Sequence, residues 1–371
     1  MSKIKVLVVD DSALVRRIIT DALQRDPDIE VVGTANNGKS AVFKTHTLNP
    51  DVITMDIEMP IMNGLDALKI IMQEDPKPVI MMSVLTQHGA DATFKALELG
   101  AIDFIPKPST MLSMSVSDIY ELLVSKVKSV AESKIKFEAK KMQVSLKGPE
   151  VTEEETRKPT GKPKFLHEIR EPVPVTLSDE AKNSDKIVAI GTSTGGPSAL
   201  MTVFKGFPEN FPSPVLVVQH MPEGFTKAFA ERLNSNSNLN VKEAEDGDRL
   251  MSGCGYVAPG HSHVKLEKKG SAFFIKLDQG EKVSGHRPSI DFMFNSVADN
   301  FSDNIIAVIM TGMGKDGASG IRRIKENGGY TVAQNEETSV VYGMNKVAVE
   351  YGGVVDVVSL EDIIKKIVEH L

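Results

Sequence analysis

The sequence predicts two α/β domains joined by a linker, and three observations carry that expectation. Strand-like and helix-like segments alternate in residues 1–121 and again after residue 182; this pattern marks a parallel sheet with helices on both faces. The 371 residues exceed a single domain of about 100–200. Charge is also unevenly spread. Lys and Arg against Asp and Glu number 11 and 17 in residues 1–121, 12 and 10 in 122–181, and 20 and 23 in 182–371.

The first block reads as a doubly wound (βα)5 unit. Its β-rich runs are IKVLVV, IEVVGTA, DVITM, PVIMM and AIDFI. From Asp118 to about Val130, apolar Ile119, Leu122, Leu123, Val127 and Val130 recur at helical spacing, which predicts a last helix on this domain. The remainder of 122–181 holds Pro149, Pro159, Pro163, Pro172, Pro174 and the acidic run Glu153–Glu155. Such a charged, Pro-containing stretch buries too little apolar surface to offset its ordering entropy, and it reads as a linker. The block 182–371 predicts a second doubly wound, mostly parallel sheet from KIVAI, PVLVV, IIAVIM, YTVAQ and GVVDVV. Residues 240–285, with YVAPG and HVKLEKKGSAFFIKL, read as short antiparallel strands including a hairpin.

Composition narrows the function classes. Hydrophobic residues at 41% and charged residues at 25% are ordinary globular values, against wholesale disorder or fibrous repeats. The single cysteine, Cys254, excludes an intrachain disulfide framework and fits a reducing cytoplasm. No apolar run approaches the roughly 18 residues of a membrane span. The start, MSKIKVLVVDDS, turns acidic too soon for a signal peptide. A net charge of −7 leaves no footprint for nucleic acid. A cytoplasmic protein without membrane insertion is expected, with monomer as the default state.

In open α/β sheets, ligands bind beyond the carboxyl ends of the strands. Asp10 and Asp11 follow the first strand, Asp56 the third, Ser83 the fourth and Lys107 the fifth. Clustered carboxylates suit a hard cation such as Mg2+, a carboxylate can itself accept a phosphoryl group, and Lys107 can neutralise the incoming anion. Singly each feature is common: an acidic pair after a strand is usually a cap or a solvated loop. Together they resemble the receiver domain of two-component response regulators, and Met59-Pro60 and Gly64 after Asp56 match its DxxMPxxxG pattern. The resemblance implies Asp56 as phosphoacceptor, Mg2+ on Asp10, Asp11 and Asp56, and phosphate sensing by Ser83 and Lys107. Phe104 occupies the position of the aromatic switch residue, though a core phenylalanine there is as simple a reading.

In the last block, Gly191-Thr192-Ser193-Thr194-Gly195-Gly196 lies between a strand and a helix. A phosphate-cradling turn is one reading, but neither GxGxxG nor GxxxxGK[ST] is satisfied. A helix cap by Ser or Thr is the blandest. The third reading is a nucleophile turn, since the segment fits G-x-S-x-G. A serine nucleophile needs a base and an orienting acid. His220 after PVLVVQ and Asp316 in TGMGKDG are the candidates at neighbouring strand ends. The order Ser193, His220, Asp316 differs from that of α/β-hydrolases. Amides around Met313 are candidate oxyanion donors, with a flexible loop and an Asp316 N-cap as the bland alternative. His261 and His263 alternate and could mimic metal ligands, but no partner cluster supports this; His46, His88, His167 and His370 read as surface residues.

GTSTGG, QHMPEGFT, YVAPG, HRPSIDFMFNSVA, IMTGMGKDGASG and QNEETSVVYGM, in this order, resemble the catalytic domain of chemotaxis-specific protein-glutamate methylesterases, and the receiver in front matches that family's architecture. The resemblance implies Ser193 as nucleophile, His220 as general base, Asp316 as orienting acid and the Met313 amide as oxyanion donor, with Thr194 assisting His220 or the oxyanion site. It implies hydrolysis of glutamyl methyl esters on chemoreceptor cytoplasmic helices, glutamine deamidation, and activation when a chemotaxis histidine kinase phosphorylates Asp56, shifting the two domains to uncover the serine. No cofactor is expected in the catalytic domain. The family pattern YGMP[KR]EA is broken at Asn345 and Val347, which puts loop rigidity in question. Competing classes are a non-catalytic output module switched by phosphorylation, a nucleotide-binding domain and a DNA-binding regulator. The absent glycine fingerprint opposes the second, and the absent basic recognition helix opposes the third.

Overall fold

The computed structural model describes residues 3–84, 86–107, 120–131, 175–179 and 181–371. Most of the expected linker, with His167, lies outside the described residues, as does the side chain of His88. The chain forms two compact units. Among the described residues no helix is long and apolar enough to cross a membrane.

The first unit is a five-stranded parallel sheet in the order β2-β1-β3-β4-β5. Its strands are β1 (Ile4–Val9), β2 (Ile29–Ala35), β3 (Val52–Asp56), β4 (Val79–Ser83) and β5 (Asp103–Pro106). Val6 to Val9 are all fully buried, the continuous apolar signature of a strand covered on both faces. The connecting helices are α1 (Ala13–Leu23), α2 (Gly38–Leu48), α3 (Gly64–Glu74) and α4 (Gln87–Glu98). Ser12, Asn37 and Asn63 begin the first three as N-caps whose side chains accept backbone N–H bonds. Helix α5 spans 120–131, as the spacing predicts. Its Leu123, Val127 and Val130 join Val15, Ile19 and Leu23 of α1 in one buried cluster, each contributing about 1.5–3 kcal/mol.

The second unit carries a seven-stranded sheet in the order β14-β13-β12-β6-β7-β9-β8, parallel throughout. Its strands are β6 (Ile187–Thr192), β7 (Val215–Gln219), β8 (Asn240–Glu243), β9 (Cys254–Val257), β12 (Ile305–Ile309), β13 (Tyr330–Gln334) and β14 (Asp356–Val358). The antiparallel hairpin is β10 (His263–Lys269) with β11 (Ala272–Asp278). The antiparallel expectation for 240–285 therefore holds for this hairpin and for the Arg249–Phe274 bridge beside it. Strands β8 and β9 pair parallel and extend the main sheet, because ten residues between them let the chain cross back instead of turning tightly. The helices are α6 (Gly196–Lys205), α7 (Thr226–Ser235), α8 (Ile290–Phe301), α9 (Ala318–Glu326), α10 (Met344–Glu350) and α11 (Ile363–Glu369).

Both sheets reverse direction of winding once. The reversal falls between β1 and β3 in the first and between β6 and β12 in the second. In open α/β sheets such switch points are where ligands bind, beyond the strand ends.

Candidate active site

Ser193 follows β6 directly, and the strand runs through Gly191 and Thr192 rather than ending before them. Its carbonyl accepts from Gly196 N–H at 2.8 Å, closing a tight turn. Gly195 sits at φ 76° within that turn, and a Cβ there would lie 2.6 Å from Val340; both facts demand glycine. Gly195 is also the N-cap of α6, with no side-chain cap. The capping reading of the segment is thus not what the chain does, and the half-buried Ser193 is left at the head of a helix.

His220 lies at the end of the neighbouring strand, where Thr192 and Gln219 are register partners. Its N–H donates to Thr192 O at 3.1 Å, and Gln219 Nε2 donates to both Ser193 O and His220 O at 3.0 Å. The imidazole Nε2 donates to Asp316 Oδ2 at 2.8 Å. Its Nδ1 is buried and has no hydrogen-bond partner among the described residues. With the proton on Nε2, the lone pair sits on Nδ1, the nitrogen nearer the His220 backbone. That backbone is bonded to the residue just before Ser193.

Asp316 does not cap the helix that follows it; Gly317 does, without a side-chain bond. Its carboxylate instead reaches the start of α8. It accepts from Ser289 Oγ at 2.8 Å, Ile290 N at 2.7 Å and Asp291 N at 3.1 Å, besides His220. Asp291, in the first turn of α8, in return accepts from Gly320 N in α9 at 2.7 Å. Each helix start thus holds the other segment's carboxylate, a favourable place for negative charge. Burial pushes the Asp316 carboxyl up, but the His220 hydrogen bond and the Ile290 and Asp291 amides hold it below the usual carboxylate value. Asp291 is raised, chiefly by burial, although the Gly320 amide opposes this.

The loop after β12 closes over Ser193. Thr311 O accepts from Ser193 N and Thr192 Oγ1, while Thr311 Oγ1 donates to Thr194 O. A Cβ on Gly312 would stand 2.8 Å from Ser193 Cβ, so only a glycine lets the loop come this near. Met313 is 41% exposed, next to this contact. Asn345 is fully buried and donates to Gln334 O at 2.8 Å and Ser339 Oγ at 2.9 Å. The departure from the family pattern therefore places a clamp on the 334–339 loop. Val347 packs against the core.

In the first unit, Asp10, Asp11 and Asp56 each offer an oxygen within 4.8 Å of the others. Lys107 Nζ lies 2.7 Å from Asp56 and 3.3 Å from Asp10, and Lys107 N donates to Ser83 O at 2.7 Å. Burial pushes the Asp56 carboxyl up to about 6, against the pull of Lys107. Asp10 is also raised, by burial first. Burial would lower Lys107, but the adjoining Asp56 and Asp10 hold it above its usual value. Three carboxylates, two of them raised chiefly by burial, are a donor set that fits a hard divalent cation. Phe104 is buried, 4% exposed, in the core position that its bland reading describes.

The structure thus gathers Ser193, His220, Asp316 and the Met313 loop at one switch point, and Asp10, Asp11, Asp56, Ser83 and Lys107 at the other. His261 precedes β10 and His263 begins it, and neither joins a cluster of potential metal ligands among the described residues. His263 is buried, accepting from Ser289 N and donating to Glu281 O. Sequence reasoning missed Ser289, Thr311, Gln219 and His286, whose ring stacks on His220.

The profile of the CheB methylesterase family matches residues 188–367, and that of the response regulator receiver domain matches 6–115. A protein-glutamate methylesterase/protein-glutamine glutaminase of Methanococcus maripaludis is 43% identical over 370 residues, covering all of this chain and 98% of the relative. This chain belongs to the CheB methylesterase family. The homologous enzyme of Halalkalibacterium halodurans is 44% identical over 369 residues, with 100% and 99% coverage. The crystal structure of the Thermotoga maritima CheB methylesterase catalytic domain aligns with a TM-score of 0.50 at 45% identity, covering 51% of this chain and all of that one. The CheB architecture, a receiver before a methylesterase domain, spans this chain.

Proposed function

We propose that this chain hydrolyses glutamyl methyl esters on the cytoplasmic helices of chemoreceptors and deamidates receptor glutamines, and that phosphorylation of Asp56 activates it. The observation that carries the reading is the His220 imidazole, pinned through Nε2 by Asp316 while its buried Nδ1 has no hydrogen-bond partner among the described residues. Ser193 Oγ attacks the ester carbonyl as its proton passes to Nδ1, and Asp316 stabilises the imidazolium. The Met313 N–H receives the oxyanion, a contact of a kind worth about 10²–10³ in kcat. The imidazolium returns the proton to the departing methoxide, giving methanol and an acyl-serine. Water, deprotonated by His220, then releases glutamate and restores Ser193. An amide passes through the same acyl intermediate, releasing ammonia.

In the receiver, taken as 1–121, Asp56 accepts a phosphoryl group from a chemotaxis histidine kinase. Asp10, Asp11 and Asp56 would hold Mg2+, which when bound neutralises the carboxylates that repel an incoming phosphate. Lys107 pairs with the acyl phosphate and Ser83 hydrogen-bonds it. Residues 122–181 form the linker and 182–371 the catalytic domain.

Methanol release from methyl-labelled receptor membranes, measured with and without a small-molecule phosphodonor, tests the reading. Release stimulated by the donor, lost in Ser193→Ala and unstimulated in Asp56→Asn, is expected. Release that survives Ser193→Ala overturns the nucleophile.

A further inference from the structure

Given the serine-hydrolase reading above, we infer that His286 is a positioning residue, a flat plate that fixes the plane of the His220 ring. The two imidazoles stack with centroids 3.8 Å apart and planes 5° from parallel. A hydrogen bond from Nε2 to Asp316 fixes one atom of the His220 ring but leaves rotation about that contact. A second ring lying flat against its face removes this rotation, so Nδ1 keeps one direction. Near-attack alignment of this kind governs the rate: a displacement of about 1 Å can cost on the order of 100-fold.

The segment bearing His286 is built to be stiff. Val283 and His286 exchange both backbone hydrogen bonds around Ser284 and Gly285, which have φ of 53° and 80°, the backbone of a type I′ turn. His286 Nδ1 donates to Ser284 O at 2.8 Å, which orients the ring. Arg287 Nη1 donates to Gln279 O and Gly280 O, closing the loop across its base. The buried His263 ties Glu281 to Ser289 from beneath. Ser289 in turn bonds Asp316. One short segment therefore supports both the acid behind His220 and the ring over its face.

His220, His286 and Asp316 also have ligand atoms within 4.8 Å of one another, which invites a metal reading. Parallel rings 3.8 Å apart point their in-plane lone pairs along separate planes, so both cannot face one ion. The stack favours mutual packing, and an aromatic face also suits the imidazolium that forms during turnover.

The test compares His286→Ala with His286→Phe in the full-length protein, alongside wild type and Ser193→Ala. Methanol release, labelling of Ser193 by a serine-directed phosphonate, and the downfield proton resonance of His220 Nε2 are measured. His286→Ala is expected to lower kcat about 10- to 100-fold with KM little changed and to broaden the His220 resonance by faster exchange. His286→Phe, which keeps a flat ring, is expected to recover most of both. An alanine variant with wild-type kcat and resonance overturns the inference, and so does a phenylalanine variant as impaired as alanine, since a nitrogen would then be required. In either case wild-type release and phosphonate labelling leave the hydrolase reading standing; their absence in wild type overturns both.

Discussion

Asp56 and Asp316 stand in the same situation by burial and in opposite situations by chemistry. Each is 1% exposed and lies at the switch point of a parallel sheet. Burial raises the Asp56 carboxyl to about 6, whereas Asp316 is held below the ordinary value. The difference lies in donors. Asp316 accepts from a hydroxyl, two amides at a helix start and an imidazole. Asp56 has Lys107, shared with a second buried carboxylate, and a long 3.3 Å bond from Glu58 N. One carboxylate is finished by the fold and acts as a fixed orienting charge. The other is left short of positive charge, which suits a group meant to meet a cation and be modified.

The largest effect expected separates the two sites outright. Ser193→Ala should reduce methanol release by on the order of 10⁴-fold or more while phosphate incorporation from a phosphodonor stays at the wild-type level. Loss of both together would break the view that the sites do separate chemistry.

Asp316→Asn probes the satisfied carboxylate. An amide cannot accept from four donors, so kcat should fall about 10³- to 10⁴-fold and urea denaturation should show a loss of about 2–4 kcal/mol. A stable, fully active variant would mean that the donor shell is not what holds His220.

Asp56→Asn probes the unsatisfied one, and its stability effect should have the opposite sign. Between the unfolded carboxyl value of 3.8 and the folded value of about 6, the folded state binds the extra proton. Stability of the metal-free protein therefore falls as pH rises through this window. At pH 7 the variant should be more stable than wild type by about 3 kcal/mol, and it should incorporate no phosphate. Denaturation curves at pH 4 and pH 7 with a chelator check the sign; a stabilisation that is equal at both would show that the carboxyl is not raised.

The smallest effect concerns the loop beside Ser193. Asn345→Ala removes two buried hydrogen bonds and should lower stability by about 1–2 kcal/mol, with a modest rise in KM for receptor. Thermal melting and initial rates would show it.

Much of both sites is legible in the chain because the period of a parallel α/β sheet announces where strands end. Asp10, Asp56, Ser83 and Lys107 sit at four such ends, and Ser193, His220 and Asp316 at three more. What escapes this reading comes from backbone and from ring faces. Ile290 and Asp291 reach Asp316 through amides, which every residue has, so no residue type marks them. His286 reaches His220 across 66 positions by a face contact with no motif spacing of its own. The strands β8 and β9 escape for another reason: four-residue runs carry no sign of direction, and only the crossing chain makes them parallel.

The sequence by itself determined the two α/β units, the strand ends and the side chains able to act there, since periodicity and residue chemistry are local properties. The tertiary structure decided which carboxylate is satisfied and which is not. That outcome depends on donors converging on Asp316 from the start of α8 and from His220 beyond β7, and convergence of distant segments is a property of packing alone.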